Sequence, residues 1–194
     1  MKTLIIVMFV LLMSGCAGTV KNMNIVLPEN VIEAPEPGKS LIVFMRPSGF
    51  GFAIQSSVFE IKDNNAILAG IVAAKKKVAY QVEPGEHLFM VIGESADFMS
   101  AELQENMTYY ALVTPRLGLW KARFSLKPVH SDELYSSEFN DWIESCEWVE
   151  ISPESRSWAI SNMNSIQSKQ REYYKDWMEK DESDRPKILL KDGK

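Results

Sequence analysis

The residues of this 194-residue chain whose types could do chemistry are its two cysteines, its two histidines and a few charged clusters. A cysteine nucleophile needs a base to hold its thiolate, most often a histidine. Cys146, in WIESCEWVEI, has only His87 and His130 to draw on, and its neighbours are aromatic and aliphatic. It reads as a small packing hydrophobe, with a nucleophile or an intermolecular disulfide as the sharper alternatives. Neither histidine stands at metal-ligand spacing from the other or from Cys146, so no metal and no cofactor is assigned. Asp141 and Glu144 lie three apart, the spacing at which two carboxylates share a helix face and could work as acid and base. Exposed acids at that spacing are commonplace and no neighbouring motif supports the pair, so no catalytic residue is assigned.

Two further stretches could bind. RPSGFGF at 46–52 places two glycines and two phenylalanines after an apolar run. A phosphate cradle would need those glycines to open a helix, whereas FAIQSSVFEI continues as a strand. Phe50 and Phe52 are therefore expected to tuck into the core. As a binding loop, the stretch would offer Arg46 to a carboxylate or phosphate. Lys75, Lys76 and Lys77 precede VAYQV and read as a solvated hairpin tip. The alternative is contact with anionic headgroups or the cell wall, at about 1 kcal/mol per lysine near the surface.

Cys16 has a different context. Lys2 gives a short positive start, an apolar run extends from Leu4 to Met13, and Ser14, Gly15 and Cys16 follow. The run is about half of the roughly 20 residues that a membrane-spanning helix needs, so it reads as the apolar region of a secretory signal with small residues at the cleavage site. MSGC resembles the lipobox of bacterial lipoproteins, with Met13 where that motif most often has Leu. The resemblance implies that Cys16 becomes the acylated first residue and that 1–15 are removed. Each buried methylene contributes about 0.8 kcal/mol, so two or three chains anchor durably where one does not. Ala17, rather than an aspartate, follows the cysteine, which by the same resemblance implies the outer membrane, facing the periplasm. The blander alternative is an ordinary signal peptide with an incidental cysteine.

The elements that would carry these residues follow from composition. Hydrophobic residues make up 46% of the chain, enough for one core, and the formal charge of -5 opposes nucleic-acid binding, which needs a basic face. After the signal segment, 16–39 reads as the lipidated cysteine and a Pro- and Glu-rich tether, a coil spanning on the order of 25 Å. Its Ile25–Leu27 run could dock as an edge strand. Residues 40–128 break into short runs of Val, Ile, Phe and Tyr, predicted as strands near 40–46, 54–61, 66–72, 77–83, 86–93, 98–104, 108–114 and 119–126. KDNNA at 62–66 and EPGE at 83–86 punctuate them as turns. Strands at this spacing suggest a β-sandwich or small barrel. The predicted fold is mainly β, α+β overall: an antiparallel β-sandwich followed by a helical extension over 129–182 and a polar tail over 183–194.

In the extension, DELYSSEFNDWIESC has helical spacing and CEWVEI is one more short strand. Ser152, Pro153 and Glu154 form a helix start, and the helix is predicted to run to about Glu182. Met163, Ile166, Gln170, Tyr173 and Trp177 then share a face. That face either packs on the chain's own body or serves as an interaction helix. Two heptads are too few for an independent coiled coil, which favours packing.

SLIVFMR at 40–46, VAYQVEPGEHLFMVIG at 78–93 and TYYALV at 108–113 together resemble small bacterial lipoproteins classed as domains of unknown function, with a PEGA-like or transthyretin-like β-sandwich. The resemblance covers roughly half the chain and ends at Pro128. It supplies no catalytic residues and implies an envelope module that binds or scaffolds other envelope proteins. The alternatives are an envelope hydrolase, which a cleft with perturbed acids would mark, and a small-ligand carrier, which an enclosed apolar cavity would mark.

Overall fold

In the computed structural model, residues 21–116 and 123–194 are described; the predicted signal segment 1–15 and Cys16 lie outside them. The short apolar runs become β2 (Ser40–Arg46), β3 (Ser56–Lys62), β4 (Asn65–Val72), β5 (Lys76–Val82), β6 (Gly85–Ile92), β7 (Ala96–Leu103), β8 (Thr108–Arg116) and β9 (Arg123–Pro128). Each lies within a few residues of its predicted span, and 119–122 of the last predicted strand lie outside the described residues. The turns hold for local reasons. Asp63 and Asn64 both have positive φ, 51° and 63°, between Lys62 and Asn65, which are register partners. Two consecutive left-handed residues match the right-handed twist of a hairpin, and short polar side chains tolerate them. Gly85 has φ 124°, a conformation that side chains with a Cβ rarely adopt.

Segments expected to lie outside the strand domain also join the sheets. β1 (Met23–Ile25) comes from the predicted tether, β10 (Glu147–Ile151) from the extension and β11 (Lys187–Ile188) from the polar tail. One sheet, A, has the order β1-β10-β5-β2-β8-β9; the other, B, has the order β11-β7-β6-β3-β4. Both are mixed rather than antiparallel throughout, because β2–β8, β10–β5 and β11–β7 pair in parallel. Hairpins impose antiparallel pairing on strands adjacent in sequence. These three pairs join strands far apart in the chain, where longer connections leave the direction free.

The alternation along each strand sets the layers. Ile42 and Phe44 of sheet A share one core with Val58, Phe89 and Val91 of sheet B, and the rings of Phe44 and Phe89 meet edge to face at 5.2 Å. The opposite face of β2 is covered as well. Met45 packs with Leu112, Val129, Leu134, Cys146 and Phe139, the last on helix α1 (Ser137–Ser145). All seven residues of β2 are therefore buried, which is why it reads as a continuous apolar run instead of an alternating one.

Sheet B is covered by helices α2 (Pro153–Ser161) and α3 (Met163–Met178). The start of α2 matches its signature: Ser152 Oγ accepts from the Ser155 amide at 3.2 Å, and Ser155 Oγ accepts from the Ser152 amide at 2.9 Å. The single long helix expected from here is instead two. Asn162 departs from helical geometry, with φ -103° and ψ 4°, and its side-chain amide donates to the Trp158 carbonyl at 2.8 Å. An asparagine that bonds its own backbone competes with the helical ladder and breaks it. The second helix also ends at Met178, short of the predicted Glu182.

Candidate functional site

Arg46 ends β2 and has 0% of its surface exposed. Its Nη1 donates to the Ile54 carbonyl at 2.6 Å, and its Nη2 donates to those of Phe50 at 2.6 Å and Gly51 at 2.9 Å. The guanidinium carbon sits 4.8 Å from the centre of the Phe124 ring. Burial pulls the guanidinium below its ordinary pKa. The group expected to meet an external carboxylate or phosphate is thus committed to the loop that follows it. Charge-assisted bonds to three carbonyls fix that loop's backbone.

The same geometry corrects the expectation for the phenylalanines. Phe50 and Phe52 are 58% and 59% exposed, with Ile54 exposed beside them. The loop's carbonyls turn inward to the guanidinium, and its side chains are left outside. Gly51 has φ 66° and lies so close to Arg46 that an added Cβ would stand 3.4 Å from Nη2.

Of the three lysines, Lys75 alone is exposed, in a turn at φ 60° where its amide donates to the Arg46 carbonyl at 2.8 Å. Lys76 and Lys77 are buried, at 4% and 5% exposure, so the solvated tip is corrected. The reason is β10, which pairs in parallel with β5 and places Glu147 opposite Lys76 and Trp148 opposite Lys77. Lys76 forms an ion pair with Glu147. Lys77 donates to the Ile143 carbonyl and lies 4.6 Å from the centre of the Trp148 ring. Burial pulls the Lys77 ammonium below its ordinary pKa, partly opposed by Cys146 and Glu33.

Lys77 lines a cleft of about 680 Å³ on the face of sheet A away from the shared core. Tyr110, Phe139 and Trp148 line its walls, and the exposed acids Glu33 and Glu144 stand at its rim. No local signal marks this cleft, because its parts come from the predicted tether, β5, β8, α1 and β10.

The other groups singled out in the sequence lie in different settings. Cys146 is buried, and burial pushes its thiol pKa up, with the Lys77 charge opposing. Asp141 and Glu144 are exposed on α1. His87 Nδ1 lies 2.8 Å from Glu60 Oε1 and its Nε2 lies 2.8 Å from the Glu83 carbonyl. Because a carbonyl only accepts, Nε2 carries a proton. His130 Nδ1 lies 2.9 Å from Oδ2 of the fully buried Asp192. Among the described residues, no group of three or more His, Cys, Asp or Glu is placed to hold a metal ion.

The helical stripe packs on sheet B. Ile166 and Trp177 are buried at 3% and 5% exposure, with Met163 and Tyr173 partly buried against the same cluster. Trp177 and Tyr174 flank Phe98, with ring centres at 6.0 Å and 5.3 Å. No helix among the described residues is long and apolar enough to cross a membrane. The chain matches no protein-family model and no curated protein.

Proposed function

We propose that this chain is a lipid-anchored bacterial envelope protein, held in the outer membrane through Cys16 and facing the periplasm. Its two-sheet body, read as a PEGA-like or transthyretin-like sandwich, acts as a non-enzymatic module that binds or scaffolds other envelope proteins. The observation that carries this reading is the Arg46-pinned loop. A fully buried cation fixes a backbone whose Phe50 and Phe52 stay more than half exposed. Such aromatic residues on a pre-ordered backbone are anchors of the kind that dominate protein interfaces, and pre-ordering lowers the entropy cost of binding.

Sheet geometry sets where the tether joins the body. β1 is antiparallel to β10, which is parallel to β5, which is antiparallel to β2, so β1 runs in the same direction as β2. Through those pairs Ile25 stands level with Phe44 and Met23 level with Ile42, about 13 Å from the Arg46 end at about 3.3 Å per residue. The stretch from Cys16 to Met23 reaches at most about 25 Å. With that reach, an anchor at Cys16 leaves the body free to present Phe50 and Phe52 away from the bilayer.

The test is a photo-crosslinking residue placed at position 52 in cells, with one at position 160 as control, since Ile160 is 74% exposed on the helical side. Discrete adducts from 52 and none from 160 are expected, and Arg46→Met should weaken them. No adducts, or the same adducts from both positions, would count against the reading. Small-ligand carriage is a second reading, favoured by the cleft at Lys77.

A further inference from the structure

We infer that the cleft on the outer face of sheet A binds a small monocarboxylate with a flat apolar body, its carboxylate meeting the Lys77 ammonium and its body lying among Tyr110, Phe139 and Trp148.

The inference starts from an imbalance between two adjacent lysines. Lys76 and Lys77 are buried to the same degree, yet Lys76 has the Glu147 carboxylate. Among the described residues, no carboxylate lies within ion-pair distance of Lys77; its ammonium has the Ile143 carbonyl and the Trp148 ring face. An ammonium carries three donors and no acceptor. A buried cation is costly unless it is paired, so Lys77 has capacity and driving force for an anion.

The cleft around it sets the rest of the ligand. Tyr110 projects from β8 on the same face as Lys77, and Phe139 projects from α1, their rings edge to face at 4.9 Å. Two aromatic walls and the Trp148 ring favour a flat or apolar body. A volume of about 680 Å³ falls within the range of small-molecule sites, and such sites pair apolar walls with a few placed polar groups.

Charge and desolvation together set the valence of the head. Glu33, Glu144 and Lys194 are exposed and line the opening, so their interactions are weakened by water, whereas Lys77 acts from a less solvated floor. A single carboxylate gains the floor cation and meets only screened repulsion. A dianionic phosphate doubles its attraction to the one floor cation and its repulsion at the rim alike, but its desolvation cost grows as the square of the charge.

Calorimetric titration of the purified full-length chain with 3-phenylpropionate, 3-phenylpropan-1-ol and phenyl phosphate tests this. The acid is expected to bind about tenfold more tightly than the alcohol, as one charge-assisted contact implies. Lys77→Met should remove that preference, and Lys77→Arg should keep part of it. Because Lys77 also supports Ile143, a second variant guards against misfolding. Glu144→Gln, on the exposed rim, should tighten the acid about twofold and leave the alcohol unchanged. Equal binding of acid and alcohol, tighter binding of phenyl phosphate, or no binding by any of the three would overturn the assignment.

Discussion

The Tyr80 hydroxyl, on sheet A, donates across the inter-sheet space to Glu60 Oε2, on sheet B, at 2.6 Å, while His87 holds the other carboxylate oxygen. Glu60 is 6% exposed. The His87 hydrogen bond and the Tyr80 hydroxyl outweigh burial and hold the carboxyl below its ordinary value of 4.5. The phenol of Tyr80 is pushed upward by burial and by that carboxylate.

A pH dependence follows. A carboxyl whose pKa is lowered by folding stabilises the fold fully above its unfolded value, and that contribution is lost as pH falls through the folded value. Urea unfolding of the wild type should therefore lose stability progressively below about pH 4.5. Glu60→Gln should cost about 1–3 kcal/mol at pH 7, because buried partners lose an ionic acceptor. The same variant should show a shallower decline in acid. Parallel pH profiles for the two proteins would contradict the account.

Gly70 is a test of sheet packing. It sits beside the register shift in β3–β4, and an added Cβ would lie 2.7 Å from Cγ1 of Val78 on β5. Gly70→Ala is expected to cost about 1–3 kcal/mol through overpacking. Val78→Ala alone should also destabilise, by opening a cavity. The double variant should be more stable than the sum of the two costs predicts, and thermal melts of the three variants would check this. Strict additivity would mean that the two residues do not compete for space.

The helix face makes a larger prediction. Trp177→Ala should lower stability by about 3–5 kcal/mol, and Ile166→Asp by a comparable amount, since one removes a buried ring and the other buries an unpaired carboxylate. Circular dichroism melts read both. If the two proteins melt like the wild type, the packing of α3 on sheet B is not what holds the C-terminal part in place.

Acylation is read directly by growing cells with a clickable fatty-acid analogue. Label is expected on the wild type and absent from Cys16→Ser, because the thiol is the acyl-accepting nucleophile in the lipobox reading. Equal label on both proteins would remove the anchor from the proposed function.

Local chemistry made much of the fold legible in the sequence. Strand spans follow from alternation and β-branched content, the Asp63–Asn64 and Gly85 turns from which residues tolerate positive φ, and the start of α2 from Ser152 and Pro153. Each of these depends on residues within a few positions of one another. The break at Asn162 was also local, but helical spacing continues across it and hides it.

What only the tertiary structure decided is the fate of the charges and of the segments outside the strand domain. Lys77 reads as solvated until residues 143–148 cover it, and Arg46 reads as free until its own loop folds back on the guanidinium. Glu60 and Tyr80 lie 20 residues apart on different sheets, and nothing in either stretch announces the other. Periodicity records which face of an element is apolar, because burial acts on each residue separately. It does not record what covers that face, because pairing of distant strands and charges is set by how the whole chain closes on itself.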